Sequence, residues 1–437
     1  MNRKLQFVIT AFSLCLVGVL LLGAVNKSTS SPEETYRHIG VFTEVLSKIK
    51  SEYVEEPDMK NVTLGALNGL LESLDPYASY LSADQYKQWQ KSKTEAKGWT
   101  GLILAKRFGY IAIVDSVPGS PADKAGLSTG DMLETIQGVN TRDMPLAYAE
   151  MMLLGEPGTS IELGVMRFRN PEPSKMAIVR GPIVWPAVTS KMLPDNIGLI
   201  TVPTLEAKRV ADVAAAVQAL EKQGAKKLIL DVRSCSTGAP EEGVALANLF
   251  ASEGKLAFAV GQKVARQDFD AVAAKAITKL PLTVATNRGT AGAAEIAANA
   301  LFDLKRAEVV GERTYGDAAI RKPVVMDDGA AVILSVAKFH NSNGKALQDV
   351  GVMPSVPVAD LEPQELNEED APAAPPVKKE EKPKSTEDLI LKKAIEISTK
   401  GLSPEEVKAA QAMRDAAKKA AETSKDPSLG PLNIPKP

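Results

Sequence analysis

The sequence predicts a multidomain α/β protein whose largest domain is built on a mostly parallel β-sheet. From Val184 onward, short apolar runs alternate with helical patterns, and KLILDV at Lys227–Val232 has the continuous apolar character of a buried parallel strand. Upstream, helical and strand-like patterns occupy separate stretches. A chain of 437 residues is long enough for two or three domains.

Charge and residue counts narrow the possible functions. The 52 basic and 54 acidic residues give a net charge of −2, which argues against a nucleic-acid-binding surface spread over the protein. Cys15 and Cys235 lie far apart in the sequence, so no disulfide framework is expected. His38 and His340 lack the spacing of zinc ligands, and we expect neither a metal site nor a cofactor.

Residues 1–26 are predicted to be a signal anchor or a signal peptide. Asn2, Arg3 and Lys4 form a short basic stretch, and residues 5–25 are uncharged, mostly apolar and long enough to cross a bilayer. No convincing small-residue cleavage site follows, so an uncleaved anchor is preferred. The positive-inside rule then places the body of the protein in the bacterial cell envelope, anchored to the inner membrane and facing the periplasmic or extracytoplasmic side.

Residues 27–95 are predicted to form an N-terminal helical region. Apolar residues recur there at steps of three and four, the spacing of one helix face. The first run consists of Ile39, Phe42, Val45, Leu46, Ile49 and Tyr53, and the second of Leu64, Leu67, Leu70, Leu71 and Leu74. The segment LDPYASYL (Leu74–Leu81) follows, with Pro76 as a helix stop.

Residues 96–170 are predicted to form a small, self-contained β-rich module with two helices. YIAIVDSV and SIELGVMR are strand patterns, and Met144–Leu154 is an amphipathic helix. A short helix is predicted at SPADKAGL, because Ser120 can cap it, Pro121 suits its first turn and Gly126 suits its end.

Residues 171–360 are predicted to form the α/β core, followed by a Pro/Glu/Lys-rich linker at 361–385 and by C-terminal helices with a disordered tail at 386–437. The core strands are expected at Ile197–Val202, Lys227–Val232 and Leu256–Val260, in LPLTVATN and in AEVVGE. The core helices are expected at Ala207–Gln223 and Pro240–Ala251 and from Gly289 to Leu304. The C-terminal helices are expected at Thr386–Ser398 and Ser403–Thr423.

The order of motifs from about Glu34 to Asp360 resembles the C-terminal processing (tail-specific) peptidases, serine peptidases of the S41 type. The motifs are GALNGLLESLDPYASYL, VPGSPADKAGLSTGDML, IGLITVPTL, KKLILDVRS, NRGTAGAAEIAANAL, VVGERTYGD and GKALQDVGVMPSV. The resemblance implies an N-terminal helical region, a PDZ domain and a ClpP/crotonase-like peptidase core. It also implies a serine nucleophile, a lysine general base and an assisting glutamine.

This chain departs from the family at all three catalytic positions. GTAGAAEI places Gly292 at the nucleophile position, and GERTYGDAAIR places Asp317 at the lysine and Arg321 at the glutamine. Positions 292 and 317 keep the separation of 25 residues that the family pattern implies. Glycine has no atom that can attack a carbonyl, and an anionic aspartate cannot act as an amine base. We therefore expect no catalytic residues here, and an ion pair between Asp317 and Arg321 is one interpretation of their presence.

Other residues near these motifs were considered as replacements. The family's oxyanion turn reads DVRSCSTGA here, with Thr237 and Gly238 at the two glycines, and a threonine would be strained if position 237 required φ > 0. Thr290 and Ser236 are candidate hydroxyl nucleophiles, and Cys235 with His340 is a candidate thiol–imidazole pair. The structural interpretations are that Thr290 caps the corner and that Cys235 is a small apolar residue. Glu295 is interpreted as a first-turn acid that interacts with the helix dipole.

The PDZ domain is the predicted binding site, capturing peptides or protein C-termini by strand addition. The residues predicted to bind the peptide are Trp99, Thr100, Gly101, Leu102, Ile103, Leu146, Ala149 and Leu153. Trp99 is equally well explained as a packing residue. The predicted function is a pseudopeptidase that binds peptides or partners and regulates or scaffolds proteolysis, with an active protease or a second copy as partner. The alternative is an active serine-type endopeptidase that cleaves near substrate C-termini with a relocated nucleophile.

Overall fold

The computed structural model describes residues 32–107, 109–142, 144–167, 170–206, 208–358 and 388–423. The predicted leader at 1–26, the linker at 361–385 and the tail beyond 423 lie outside these ranges. No helix within the described ranges combines the length and apolar character needed to span a bilayer.

The helices and strands are numbered here in chain order. The helices are α1 (Pro32–Glu52), α2 (Met59–Glu72), α3 (Ala83–Glu95), α4 (Pro121–Lys124), α5 (Leu146–Leu153), α6 (Arg209–Lys222), α7 (Pro240–Asn248), α8 (Ala293–Asp303), α9 (Leu389–Lys400) and α10 (Pro404–Thr423). The first nine strands are β1 (Ser79–Leu81), β2 (Gly98–Trp99), β3 (Leu102–Arg107), β4 (Tyr110–Ser116), β5 (Met132–Ile136), β6 (Val139–Asn140), β7 (Ser160–Arg167), β8 (Asn170–Val179) and β9 (Gly181–Pro182). The remaining strands are β10 (Thr189–Leu193), β11 (Ile197–Thr201), β12 (Lys227–Asp231), β13 (Lys255–Val260), β14 (Gln267–Asp270), β15 (Leu282–Thr286), β16 (Ala307–Gly311), β17 (Ala319–Val325), β18 (Ala331–His340) and β19 (Val356–Pro357).

The N-terminal helical region was predicted correctly as helical. The chain divides into two compact units between Ala66 and Leu67. In the first unit, α1 carries the apolar stripe predicted from the sequence, and its members Ile39, Phe42 and Val45 are exposed. In the second unit, α3 begins with a capping box in which Ser82 and Gln85 bond each other's backbone N–H groups.

The β-rich module has an antiparallel sheet in the order β3-β4-β5-β7-β8, with β6 on β5 and helices α4 and α5 beside it. Ser120 caps α4 by accepting a hydrogen bond from the Asp123 N–H, as predicted. The sheet continues through β8 to Val179, past the predicted domain end at residue 170. Strand β3 lies at an edge of this sheet, so one side of its backbone has no neighbouring strand among the described residues.

The α/β core contains the predicted sheet, in the order β10-β11-β12-β15-β16-β19. Every neighbouring pair is parallel except β10 with β11. Successive residues of β12 face opposite sides, so Leu228 and Leu230 pack with α6, α7 and α8, whereas Ile229 packs with Ala394 and Ile397 of α9. The sheet is therefore covered by helices on both faces, as a buried parallel sheet requires.

A second sheet of the core was not predicted. It runs β1-β18-β13-β14, with β17 paired to β18. The strand expected at Leu256–Val260 is present as β13, but the prediction that it belongs to the parallel sheet is wrong, because it pairs antiparallel with β14 and β18. Sequence alternation alone does not say which sheet a short apolar strand joins.

Candidate functional site

Gly292 occupies the corner between β15 and α8. It is the N-cap residue of α8, with φ 62° and ψ −122°, a conformation that strongly favours glycine. The space beside it is open, since a Cβ atom at position 292 would meet only the backbone oxygen of Asp317, at 3.6 Å. The corner can therefore accommodate a small side chain at the cost of backbone strain, and it lies directly against position 317.

Glu295, in the first turn of α8, joins this corner to the loop between β16 and β17. Its buried carboxylate accepts hydrogen bonds from the backbone N–H groups of Gly292 (3.0 Å), Gly316 (2.6 Å) and Asp317 (2.7 Å), and from the Thr314 hydroxyl. Burial raises the pKa of Glu295 to about 7, and the donors act in the opposite direction. The residue does bind the helix N-terminus, as predicted, but most of its hydrogen bonds hold the 314–317 loop.

Asp317 and Arg321 form the ion pair proposed from the sequence. Arg321 Nη2 contacts Asp317 Oδ1, and Arg321 Nη1 lies 3.4 Å from Asp317 Oδ2. The Arg321 side chain is 26% exposed and the Asp317 side chain 20%. The Arg321 guanidinium also lies 3.6 Å from the ring centroid of Tyr77, a cation–π contact. Charges at these two positions are thus satisfied by each other and by an aromatic ring.

The Thr290 hydroxyl is buried and hydrogen-bonded to the backbone of neighbouring segments. It is fully buried, donates to the Val232 carbonyl at 2.9 Å and accepts from the Asn287 N–H at 3.1 Å. The interpretation of Thr290 as a helix cap is wrong in detail, because Gly292 is the N-cap and Thr290 instead closes the turn after β15.

Cys235 and His340 have separate surroundings. Cys235 is fully buried in the core beneath the parallel sheet, and burial raises the pKa of its thiol well above the usual range. The His340 ring stacks on Phe258, with centroids 4.9 Å apart, and its Nδ1 lies 3.0 Å from the Lys338 carbonyl oxygen. These environments favour the interpretation of Cys235 as a small apolar residue.

The turn that matches the family's oxyanion turn keeps an ordinary backbone at Thr237. The expected strain at this residue is absent, because the positive φ falls on Gly238 (127°) and, among non-glycine residues of the turn, on Ser234 (52°). The Thr237 hydroxyl lies 2.7 Å from that of Thr204, and its carbonyl accepts from the Leu205 N–H at 3.0 Å. At Gly238 a Cβ atom would lie only 2.6 Å from the Leu205 side chain, so glycine is needed there.

Asp115 links the β-rich module to the same turn and was not singled out from the sequence. Its carboxylate, on β4, accepts a hydrogen bond from the Ser236 hydroxyl at 3.1 Å and is 4% exposed. Burial raises the pKa of Asp115 to about 7, and hydrogen bonds from Ser236, the Ser116 backbone and Ser234 lower it. A carboxyl group with this pKa changes charge near neutral pH at the contact between the two modules.

Replacing Asp115 by asparagine should flatten the pH dependence of stability. The folded chain keeps a proton on Asp115 that the unfolded chain releases above pH 4, so Asp115 makes stability fall as pH rises from about 4 to about 7. We expect Asp115→Asn to gain stability relative to the native chain by up to about 4 kcal/mol at pH 8, with little relative change at pH 4. Urea unfolding at the two pH values measures this difference. Asp270→Asn, at an exposed position of β14, should show no such pH-dependent gain.

The predicted peptide-binding residues lie around the open edge of β3. Gly101 has φ 89° and its absent Cβ would overlap Ser120, whereas the side chain of Thr100 is 1% exposed and its hydroxyl has no hydrogen-bond partner among the described residues. The Lys106 N–H donates to the Pro76 carbonyl at 3.1 Å, so the chain itself occupies one end of this edge. The remaining edge begins at Leu102 and passes the partly exposed Ile103.

The other residues predicted to contact the peptide are buried, so their side chains are not exposed in a groove. Trp99 is 8% exposed and packs edge-on against Trp185, with ring centroids 4.7 Å apart, which favours its packing role. Leu146, Ala149 and Leu153 of α5 are at most 3% exposed and belong to the core of the β-rich module. Among the described residues, no cluster of three or more His, Cys, Asp or Glu side chains has the arrangement of a metal site.

Arg107 and Tyr315 form a contact between the modules that no sequence pattern indicated. Arg107 Nε donates to the Tyr315 hydroxyl at 3.2 Å, and the guanidinium lies 4.8 Å from the ring centroid. The two residues are far apart in sequence, and only the tertiary fold brings them together.

Comparisons with known proteins match both modules. The model of peptidase family S41 matches residues 196–358, and a PDZ domain model matches residues 113–167. The chain is 31% identical to the carboxy-terminal processing protease CtpA of Bacillus subtilis over 333 residues, which is 76% of this chain and 70% of that protein. It is 28% identical to the carboxy-terminal-processing protease of Bartonella bacilliformis, over 82% of this chain and 83% of that protein. Among solved structures, the photosystem II D1 C-terminal processing protease matches with a TM-score of 0.62 and 25% identity, over 75% of this chain and 88% of that one.

Proposed function

The chain belongs to peptidase family S41, the carboxy-terminal processing proteases, and we propose that it is a non-catalytic member of that family. It binds peptides or protein partners through its PDZ domain and regulates or scaffolds proteolysis, with an active protease or a second copy as partner. The observation that carries the proposal is Gly292, a residue without a reactive atom at the corner where the family pattern has its nucleophile.

The charges around Gly292 support the loss of catalysis. A serine nucleophile needs a neighbouring base that can take its proton. Asp317, at the position of the family's lysine base, is held in an ion pair with Arg321. The Arg321 guanidinium cannot accept a proton either.

Thr290 and Cys235, two of the three candidates for a relocated nucleophile, are fully buried, so a substrate carbonyl has no access to either atom. The third candidate, Ser236, is only partly buried and donates its hydroxyl hydrogen to Asp115 at 3.1 Å. Among the described residues, this pair is the one arrangement that favours an active peptidase, and Ser236→Ala tests it in the cleavage assay.

Peptide binding is supported by the edge of β3. Its backbone can accept an additional strand, which is how extended peptides join exposed sheet edges. Ile103, the partly exposed residue of β3 at this edge, can contact a side chain of the bound peptide. The Pro76–Lys106 hydrogen bond limits the free edge, so we expect only the last few residues of a peptide to bind.

The proposed location follows from residues 1–26. We infer that these residues attach the protein to the inner membrane and leave the PDZ domain and core on the extracytoplasmic side of a bacterial envelope. Peptides and protein C-termini exposed there are then the available ligands.

Peptide titration tests this proposal. A peptide with an apolar, free C-terminus should bind the full chain, and its amidated form should bind at least tenfold more weakly. Ile103→Asp should weaken binding of the free-carboxylate peptide by at least about tenfold, because the new carboxylate would repel the terminal carboxylate of the peptide. Thr189→Asp, at an exposed strand position, is the matched control and should bind normally. Equal binding of the free and amidated peptides, or no binding of either, would contradict the proposed PDZ function.

A further inference from the structure

A cavity of about 700 Å³ lies between the PDZ domain and the core. One wall is the outer face of the PDZ sheet, where Met132 and Met166 are directly paired across β5 and β7. The other wall is formed by core loops that follow β15 and β16. The cavity is separate from the proposed peptide-binding edge. Arg107, the last residue of β3, is the one residue of that strand in the described lining.

Four arginines line this cavity, and no carboxylate is found among the described residues of its lining. They come from four different segments: Arg107 from β3, Arg167 from β7, Arg288 from the loop after β15 and Arg313 from the loop after β16. The positive charges are therefore distributed along the cavity walls, instead of being supplied by one segment.

The existing partners of these arginines neutralise only part of the charge. Arg167 pairs with Asp131 at 3.5 Å, and Arg288 pairs with Glu312 at 3.2 Å.

The other two guanidiniums are bonded to neutral groups. Arg313 donates to the Val350 carbonyl at 2.6 Å, and Arg107 donates to the phenol of Tyr315. The Asp349 carboxylate lies within electrostatic range of Arg107 and is itself paired with Lys338 at 3.3 Å. The cavity thus retains a positive balance that favours an anionic ligand.

We propose that this cavity binds an acidic peptide segment, with carboxylates held by the arginines and an apolar side chain against Met132 and Met166. Guanidinium groups bind carboxylates with matched, often bidentate geometry. Methionine side chains adapt to apolar groups of different shape, which suits a surface that binds varied peptides. Arginines on separate segments fit charges spaced along a chain better than they fit one compact anion.

The test uses a short peptide that cannot engage the β3 edge through a free carboxylate. The probe is a fluorescent five-residue peptide that alternates glutamate with leucine and is blocked at both ends. Its partner probe has glutamine in place of glutamate. We expect the acidic probe to bind the full chain at least tenfold more tightly than the neutral probe, and its affinity to fall as salt is raised.

Variants locate the site. Arg107→Gln combined with Arg313→Gln should weaken binding of the acidic probe at least tenfold, and Met166→Glu should weaken it at least as much. Arg266→Gln is the control, because Arg266 is an exposed arginine like Arg107 and Arg313 but lies outside the cavity lining. The thermal unfolding temperature of each variant checks that the fold is retained.

Three results would overturn the proposal. The first is equal affinity for the acidic and neutral probes. The second is the same loss of affinity in Arg266→Gln as in the cavity variants. The third is full displacement of the acidic probe by an equal concentration of inorganic phosphate, which would identify a site for a compact anion. Because the blocked probes have no free carboxylate to bind at the β3 edge, a failure here leaves the proposed PDZ function to its own test.

Discussion

A variant that carries Gly292→Ser, Asp317→Lys and Arg321→Gln should cleave unfolded polypeptides, whereas the native chain should not. The Cβ position at residue 292 is open and lies against residue 317, so a serine there would face the new lysine. A correctly placed general base contributes roughly 10²–10⁴-fold to such reactions, and we expect a gain of at least about a hundredfold over the background. Release of peptide products, quantified by mass spectrometry, measures the gain.

All three substitutions are needed for physical reasons. Lysine at position 317 beside the retained Arg321 would place two positive charges where an ion pair now lies. The matched control is Gly292→Ala with Asp317→Lys and Arg321→Gln, which carries the same charges and a similar backbone strain without a hydroxyl. This control should remain inactive. Equal activity of the serine and alanine variants would show that position 292 is not where a nucleophile acts.

Glu295→Ala should destabilise the core by at least about 3 kcal/mol. The substitution leaves four buried donors without their acceptor, and each unsatisfied buried group costs roughly 1–3 kcal/mol. It also releases the 314–317 loop from α8. The midpoint of urea unfolding at pH 5 measures the loss, because the raised pKa of Glu295 makes its contribution to stability shrink as pH rises from about 4.5 towards 7.

The control for Glu295 is another glutamate in a helix first turn. Glu241 occupies the first turn of α7 but is exposed, so Glu241→Ala should change stability by less than about 1 kcal/mol. Similar losses in the two variants would mean that Glu295 acts only through the helix dipole and does not hold the loop.

The sequence predicted the order of modules and the position of the corner because both depend on local patterns. Strand β12, whose residues 228–230 are all apolar, lies at the centre of the parallel sheet, and α8 begins directly after Gly292. The Asp317–Arg321 pair was one interpretation of these residues, which are four apart in the sequence. It forms without a helix, since Arg321 lies on β17 and Asp317 in the preceding turn.

Contacts between distant segments could not be predicted in this way. The Asp115–Ser236 hydrogen bond joins the PDZ domain to the core, and nothing in either local pattern indicates the other. The same holds for Trp99, whose packing role depends on Trp185, in the segment between β9 and β10. At Thr237 the expected strain is absent because the positive φ is carried by the next residue, a backbone detail that composition does not determine.

Cleavage by the native chain tests the central claim most directly. The purified full chain is incubated with an unfolded protein that has an apolar C-terminus, and the products are analysed by mass spectrometry. The control sample contains the unfolded protein alone. The proposed function predicts that the two samples remain indistinguishable. Cleavage that is abolished by Ser236→Ala, Thr290→Ala or Cys235→Ala would contradict it, because one of these residues would then supply the nucleophile that Gly292 cannot.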